Sequence, residues 1–87
     1  ALQEVENYLV ELNTLQGEVA SQLRATVAAQ ESARVTRNQY DAGMIDYLDV
    51  ATTENSRLSE QQNLLSLQST QWVASVKLIA ALGGSWH

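Results

Sequence analysis

Tyr40-Asp41-Ala42-Gly43-Met44-Ile45-Asp46-Tyr47-Leu48 is the stretch whose reading decides the fold. Gly43 sits in it as one of only four glycines in a chain of 87 residues that has no proline. A glycine after a long helical pattern is the residue that most readily takes the left-handed conformation ending a helix. Asp46 stands where a second helix needs a capping residue, which places its first turn near Tyr47. A connection this short makes the flanking helices antiparallel neighbours. The stretch therefore predicts a hairpin.

Outward from the turn, both arms carry apolar residues in alternating steps of three and four. On the first arm these are Leu2, Val5, Leu9, Leu12, Val19 and Leu23, with Gln16 on the same row. The row continues through Thr26, Gln30, Ala33, Arg37 and Tyr40, becoming small and polar towards the turn. That is the heptad spacing of a helix packed along a partner. A helix of this extent is about 57 Å long. On the second arm one row runs Leu48, Ala51, Asn55, Leu58, Gln62, Leu65, Ser69, Trp72, Val76 and Ile79. A weaker row runs Val50, Arg57, Leu64, Gln71, Leu78 and Leu82. Two rows on one helix fit an element with a neighbour on each side, as in a ring of helices; the alternative is a wide apolar face in a four-helix bundle. Gly83-Gly84-Ser85 is expected to stop the second helix. The expected organisation is a single all-α unit over 1–87: a helix over about 2–41, a turn over 42–46, a helix over about 47–82 and a tail over 83–87.

Composition narrows the function classes. Ten acidic against five basic residues give a formal charge of −5. Nucleic acid is excluded as a partner, because neutralising phosphates requires a basic stripe. There is no run of 18 apolar residues to cross a bilayer as a helix and no signal-peptide pattern at Ala1–Glu6. With no cysteine and a single histidine at the last position, the chain offers no thiol nucleophile, no serine activated by histidine and no Glu-x-x-His pair for a metal bundle. No catalytic residue, cofactor or metal site is expected. Glu4, Glu11 and Glu18, seven residues apart, read as a solvated stripe. A chain this short buries only ~60% of its unfolded surface and has no disulfide to compensate, so association with other helices, including copies of itself, is expected.

Two motifs take the sequence beyond a generic hairpin. Tyr40-Asp41-Ala42-Gly43 followed by Asp46-Tyr47-Leu48-Asp49-Val50 resembles the tip signature of the TolC-like outer-membrane factor family, in its lipoprotein branch serving pumps of the resistance–nodulation–division type. Ala80-Ala81-Leu82-Gly83-Gly84-Ser85-Trp86 is similar to the family's Ala-Leu-Gly-Gly-Gly-Trp ending, and Ala1–Asn7 looks like the start of its last long helical segment. The three lie in the right order over the whole chain.

The resemblance implies a piece of a homotrimeric duct: an outer-membrane β-barrel in a Gram-negative bacterium, continued by a periplasmic α-barrel to which each protomer gives two hairpins. This chain corresponds to the second. It implies that Ala42, Gly43, Met44 and Ile45 dock a periplasmic adaptor (membrane fusion) protein, through which the duct meets an inner-membrane pump and exports drugs or other small molecules. The same glycine also serves as an ordinary helix cap. Asp49 matches the family's acidic position inside the tip, where three copies could narrow the entrance; read locally, it is a first-turn acid favoured by the helix dipole. Many relatives carry a second acid one turn later, where this chain has Thr52. A family latch places arginine two residues after the tip glycine, where this chain has Ile45. Tyr40 is then expected to serve either the gate or the helix seam, and Trp72 is expected in the core or the barrel wall. The readings that compete with a duct segment are an autonomous coiled-coil hairpin used for scaffolding or oligomerisation, and the hairpin of an adaptor protein. The Leu-Gly-Gly-Ser-Trp ending weighs against the adaptor.

Overall fold

Helix-forming residues without proline persist on both sides of one glycine, and the computed structural model, which describes residues 2–84, shows two long helices joined by one turn. Helix α1 spans Leu2–Asp41 and helix α2 spans Tyr47–Gly84. Gly83 and Gly84 belong to the last turn of α2, two residues past the expected end at 82. A helix tolerates terminal glycines where its next turn need not form. The expectations for Ser85, Trp86 and His87 lie outside the described residues. The molecule measures 67 × 15 × 13 Å, a narrow rod of two helices lying side by side.

The seam between the helices has a strict three–four spacing. On α1 it consists of Val5, Tyr8, Leu12, Leu15, Val19, Gln22, Thr26, Ala29, Ala33 and Thr36, all buried or half-buried. On α2 it consists of Val50, Thr53, Arg57, Glu60, Leu64, Leu67, Gln71, Ala74, Leu78 and Ala81. This corrects the phase expected from the strongest apolar rows. Only alternate members of the α1 row (Val5, Leu12, Val19, Thr26 and Ala33) face α2, while Leu2, Leu9, Gln16, Leu23, Gln30 and Arg37 face solvent. On α2 the weaker row packs through Val50, Arg57, Leu64, Gln71 and Leu78, while its last member, Leu82, is exposed. Trp72, expected in a core or wall, is 71% exposed within the hairpin. The turn fixes which faces meet, so hydrophobicity does not choose among the rows.

The two arms are therefore joined by modest burial. Fully buried positions are few: Leu15, Thr26, Ala33, Val50 and Ala74 among the described residues. The accessible surface is 6243 Å², about a fifth above the ~5,100 Å² typical of a compact monomer of this mass. Among the described residues, no helix is long and apolar enough to cross a membrane.

Candidate functional site

The tip is built by the backbone alone. The Ala42 N–H donates to the Asn38 carbonyl at 3.0 Å, Gly43 to Tyr40 at 2.9 Å and Met44 to Gln39 at 2.9 Å. The last two bonds wrap the chain end back over the final turn and satisfy carbonyls that a helix terminus otherwise leaves open. The wrap requires a left-handed residue, and Gly43 takes φ +75°. On the far side Asp46 occupies the capping position of α2, and its main-chain carbonyl accepts the Asp49 N–H at 3.1 Å.

Because the backbone satisfies itself, the tip side chains are left for other contacts. Ala42, Gly43 and Met44 are exposed, Met44 at 72%, whereas Ile45 is half-buried and anchors the turn. Tyr40 and Tyr47 close the tip just above the turn, their ring centroids 5.5 Å apart at 70°. Edge-to-face pairs of this kind are favoured by the ring quadrupoles. Tyr40 thus meets Tyr47, a partner that periodicity gave no reason to single out. Asp49 is exposed in the first turn of α2. The Thr52 hydroxyl donates to the Leu48 carbonyl at 2.9 Å, so at the position of the family's second acid it is turned back onto its own helix. Among the described residues, no three His, Cys, Asp or Glu side chains gather as a metal site.

Away from the tip the hairpin has two unlike faces. Leu23 and Val27 of α1 and Gln61 and Leu65 of α2 line one open groove, which puts these rows on the same side. That side carries Leu9, Leu23 and Val27 on α1 and Leu58, Leu65, Trp72 and Ile79 on α2, all solvent-exposed in the hairpin. The opposite side bears Glu4, Glu11, Glu18, Ala25, Ser32 and Gln39 on α1. It bears Asp49, Ser56, Asn63, Thr70 and Lys77 on α2. Asp49 therefore stands at the tip end of a polar row. On α1 this side is interrupted by Gln16, Gln30 and Arg37, so its large apolar residues are unbroken only along the α2 row of Leu58, Leu65, Trp72 and Ile79.

The model of the family described as outer membrane efflux protein matches residues 1–84. The chain belongs to that family. Among curated relatives, it is 31% identical over all 87 residues to a cation efflux system protein, CusC, of Escherichia coli O6:H1, covering 19% of that protein. It is 30% identical over 86 residues to a probable outer membrane lipoprotein, SilC, of Salmonella typhimurium, covering 99% of the chain and 19% of the relative. The CusC of Escherichia coli K12 is 31% identical over 84 residues, covering 97% of the chain and 18% of the relative. The chain spans about a fifth of the length of the relatives it matches. No solved structure matches it at the significance applied to these comparisons.

Proposed function

We propose that this hairpin is a periplasmic stave of an outer-membrane efflux duct, with its tip facing a periplasmic adaptor and, through it, an inner-membrane pump of the resistance–nodulation–division type. The observation that carries the reading is the two-faced hairpin: one side exposes large apolar residues, densest on α2 at Leu58, Leu65, Trp72 and Ile79, and the other side is polar. A wall of helices around water needs both faces, one against neighbouring staves and one wet. Three protomers would close such a wall. The names of the relatives favour cations as the cargo, where the family resemblance alone suggested drugs or other small molecules.

At the tip, Ala42 and Gly43 offer small exposed positions and Met44 an exposed apolar side chain, with Ile45 half-buried beside them. Asp49 would be repeated around the entrance in a trimer, where like charges favour cations. Tyr40, paired with Tyr47, would hold the arms together at the gate. The decisive test places Gly43→Trp in the full-length parent and measures susceptibility to a panel of cations and drugs, with the amount of trimer in the outer membrane as control. Loss of resistance with the trimer intact supports a docking tip; unchanged resistance refutes it.

One observation favours the scaffold reading of the isolated chain: its exposed apolar side suffices for self-association. Sedimentation of the 87-residue chain should show dimers or larger bundles. Leu65→Ser with Trp72→Ser should weaken them at least ~10-fold, since each buried large side chain contributes about 1.5–3 kcal/mol. A compact monomer at all concentrations would contradict this.

A further inference from the structure

The exposed side of the hairpin that carries Trp72 has a pattern of its own. On α1 its row reads Leu9, Gln16 and Leu23, with a leucine one heptad either side of Gln16. On α2 its row reads Leu65, Trp72 and Ile79, with an aliphatic residue one heptad either side of Trp72. All six are solvent-exposed in the hairpin. Tyr40 faces Tyr47, and the Thr26 hydroxyl donates to the Glu60 main-chain carbonyl at 3.2 Å. These contacts set the levels of the two helices and place Gln16 within about half a turn of Trp72 along the rod. Both rows are therefore symmetric about one level. The flanking rows, Asn13, Ala20 and Val27 on α1 and Gln61, Gln68 and Ser75 on α2, carry no charge over this stretch. The charges of this side stand outside it: Glu6 farther from the tip, and Arg34, Arg37, Asp41 and Glu54 nearer to it.

We propose that this uncharged stretch pairs two copies of the free chain antiparallel, tips at opposite ends, about a two-fold axis at the level of Gln16 and Trp72. A two-fold contact uses the same patch on both copies, and a patch symmetric along its length meets like with like when reversed. α1 then lies over α1 and α2 over α2. Leu9 meets Leu23 of the second copy, Leu65 meets Ile79, and the two Trp72 rings lie beside the axis. The Gln16 amides, each both donor and acceptor, satisfy one another across it. A single polar residue fixes orientation in coiled coils in the same way. With the tips together instead, Gln16 would lie against Trp72 of the second copy and Gln30 against Leu58. Arg34 and Glu54, which already have ion-pair partners on their own helices, would also be drawn out of water at a cost in hydration. An antiparallel overlap of about 28 residues per helix is ~42 Å long. On a rod 15 Å wide it buries on the order of 1,200 Å² in all, the lower end for a stable interface. The pairing rests on the self-association of the free chain proposed above; in the proposed duct the same side faces neighbouring staves.

The 87-residue chain has no cysteine, so Ser32→Cys carries a single spin label, on the polar side and clear of the contact. Label separations are read by double electron–electron resonance at a concentration where sedimentation shows dimers. Antiparallel pairing sets the two labels roughly 50–60 Å apart, and tips held together set them within about 30 Å, a few helix diameters. Gln16→Glu places two carboxylates at the axis and should raise the dimer Kd at least ~10-fold, because like charges in a desolvated contact repel. Gln39→Glu, on the polar side, should leave it unchanged. A short separation, a mixture of short and long ones, a Gln16→Glu variant that dimerises like wild type, or an equal loss with Gln39→Glu would each overturn the antiparallel pairing and leave self-association standing. A monomer at all concentrations would overturn both, whereas the efflux reading stands or falls separately on Gly43→Trp.

Discussion

The two halves of this hairpin share one heptad spacing and are held by different physics. Away from the tip, the α1 seam is all leucine, valine and tyrosine around Leu15, and three leucines join Gln71, Ala74 and Ala81 on α2. Towards the tip, alanine and threonine let the backbones approach around Ala33, and the turn itself supplies order through backbone hydrogen bonds and the tyrosine pair. Heptad periodicity thus says where two helices touch, while side-chain size says how strongly. The tip lies on the weakly packed half.

Truncation should expose that contrast most sharply. Leu15, 7% exposed, lies in the far half, and Leu15→Ala should cost about 2–5 kcal/mol through lost burial and an unfilled cavity. Ala33→Gly, equally central in the tip half, should cost only ~1 kcal/mol, mostly from helix propensity. Urea unfolding of the chain at one fixed concentration measures both, because association contributes to apparent stability. Equal losses would mean that the halves are packed alike and would remove the basis of the comparison.

The next largest effect separates two glycines by sign. Gly17 lies in the far half of α1, and a methyl group there would meet nothing within 4 Å. Gly17→Ala should stabilise by about 1 kcal/mol through helix propensity. Gly43 has equal room but a φ of +75°. Gly43→Ala should destabilise by roughly 1–2 kcal/mol, the cost of a left-handed L-residue. Thermal unfolding of the two variants should therefore shift in opposite directions. Two shifts of the same sign would show that the turn does not depend on its left-handed residue.

These contrasts mark what the sequence could tell. Gly43 and Asp46 announced the turn because their conformational roles are local, and the absence of proline announced two uninterrupted helices. The facing rows were not legible. On α2 the row of Leu48, Leu58, Leu65, Trp72 and Ile79 is richer in large apolar residues than the row that packs. α1 leaves that row uncovered, and heptad spacing carries no label saying which row meets which neighbour. Gln22 and Glu60 lie on neither of the rows picked out by spacing, and only the fold sets one against the other. The roles proposed for Ala42, Gly43, Met44, Ile45 and Asp49 call on surfaces outside the chain, so only the family resemblance suggests them and local physics does not.

The smallest expected effect lies on the outside of the tip half, where Arg34 donates from Nε to Glu31 Oε2 at 3.0 Å and pairs with the other carboxylate oxygen. The hydrogen bond and then the charge of Arg34 hold the Glu31 carboxyl below its ordinary value, and the same contacts raise the Arg34 guanidinium. A carboxyl depressed in the folded state contributes stability above its unfolded pKa. That contribution is lost as the pH falls through the folded value. Both side chains are solvent-exposed, however, and exposed pairs are screened by water and salt. Glu31→Gln should therefore leave the unfolding midpoint unchanged within error at neutral pH and physiological salt. Any difference that emerges in low salt should disappear again on the acidic side, where the wild-type carboxyl is protonated. A midpoint shift comparable to that of Ala33→Gly, persisting in high salt, would mean that surface pairs rather than the turn and the small-residue seam hold the tip half together.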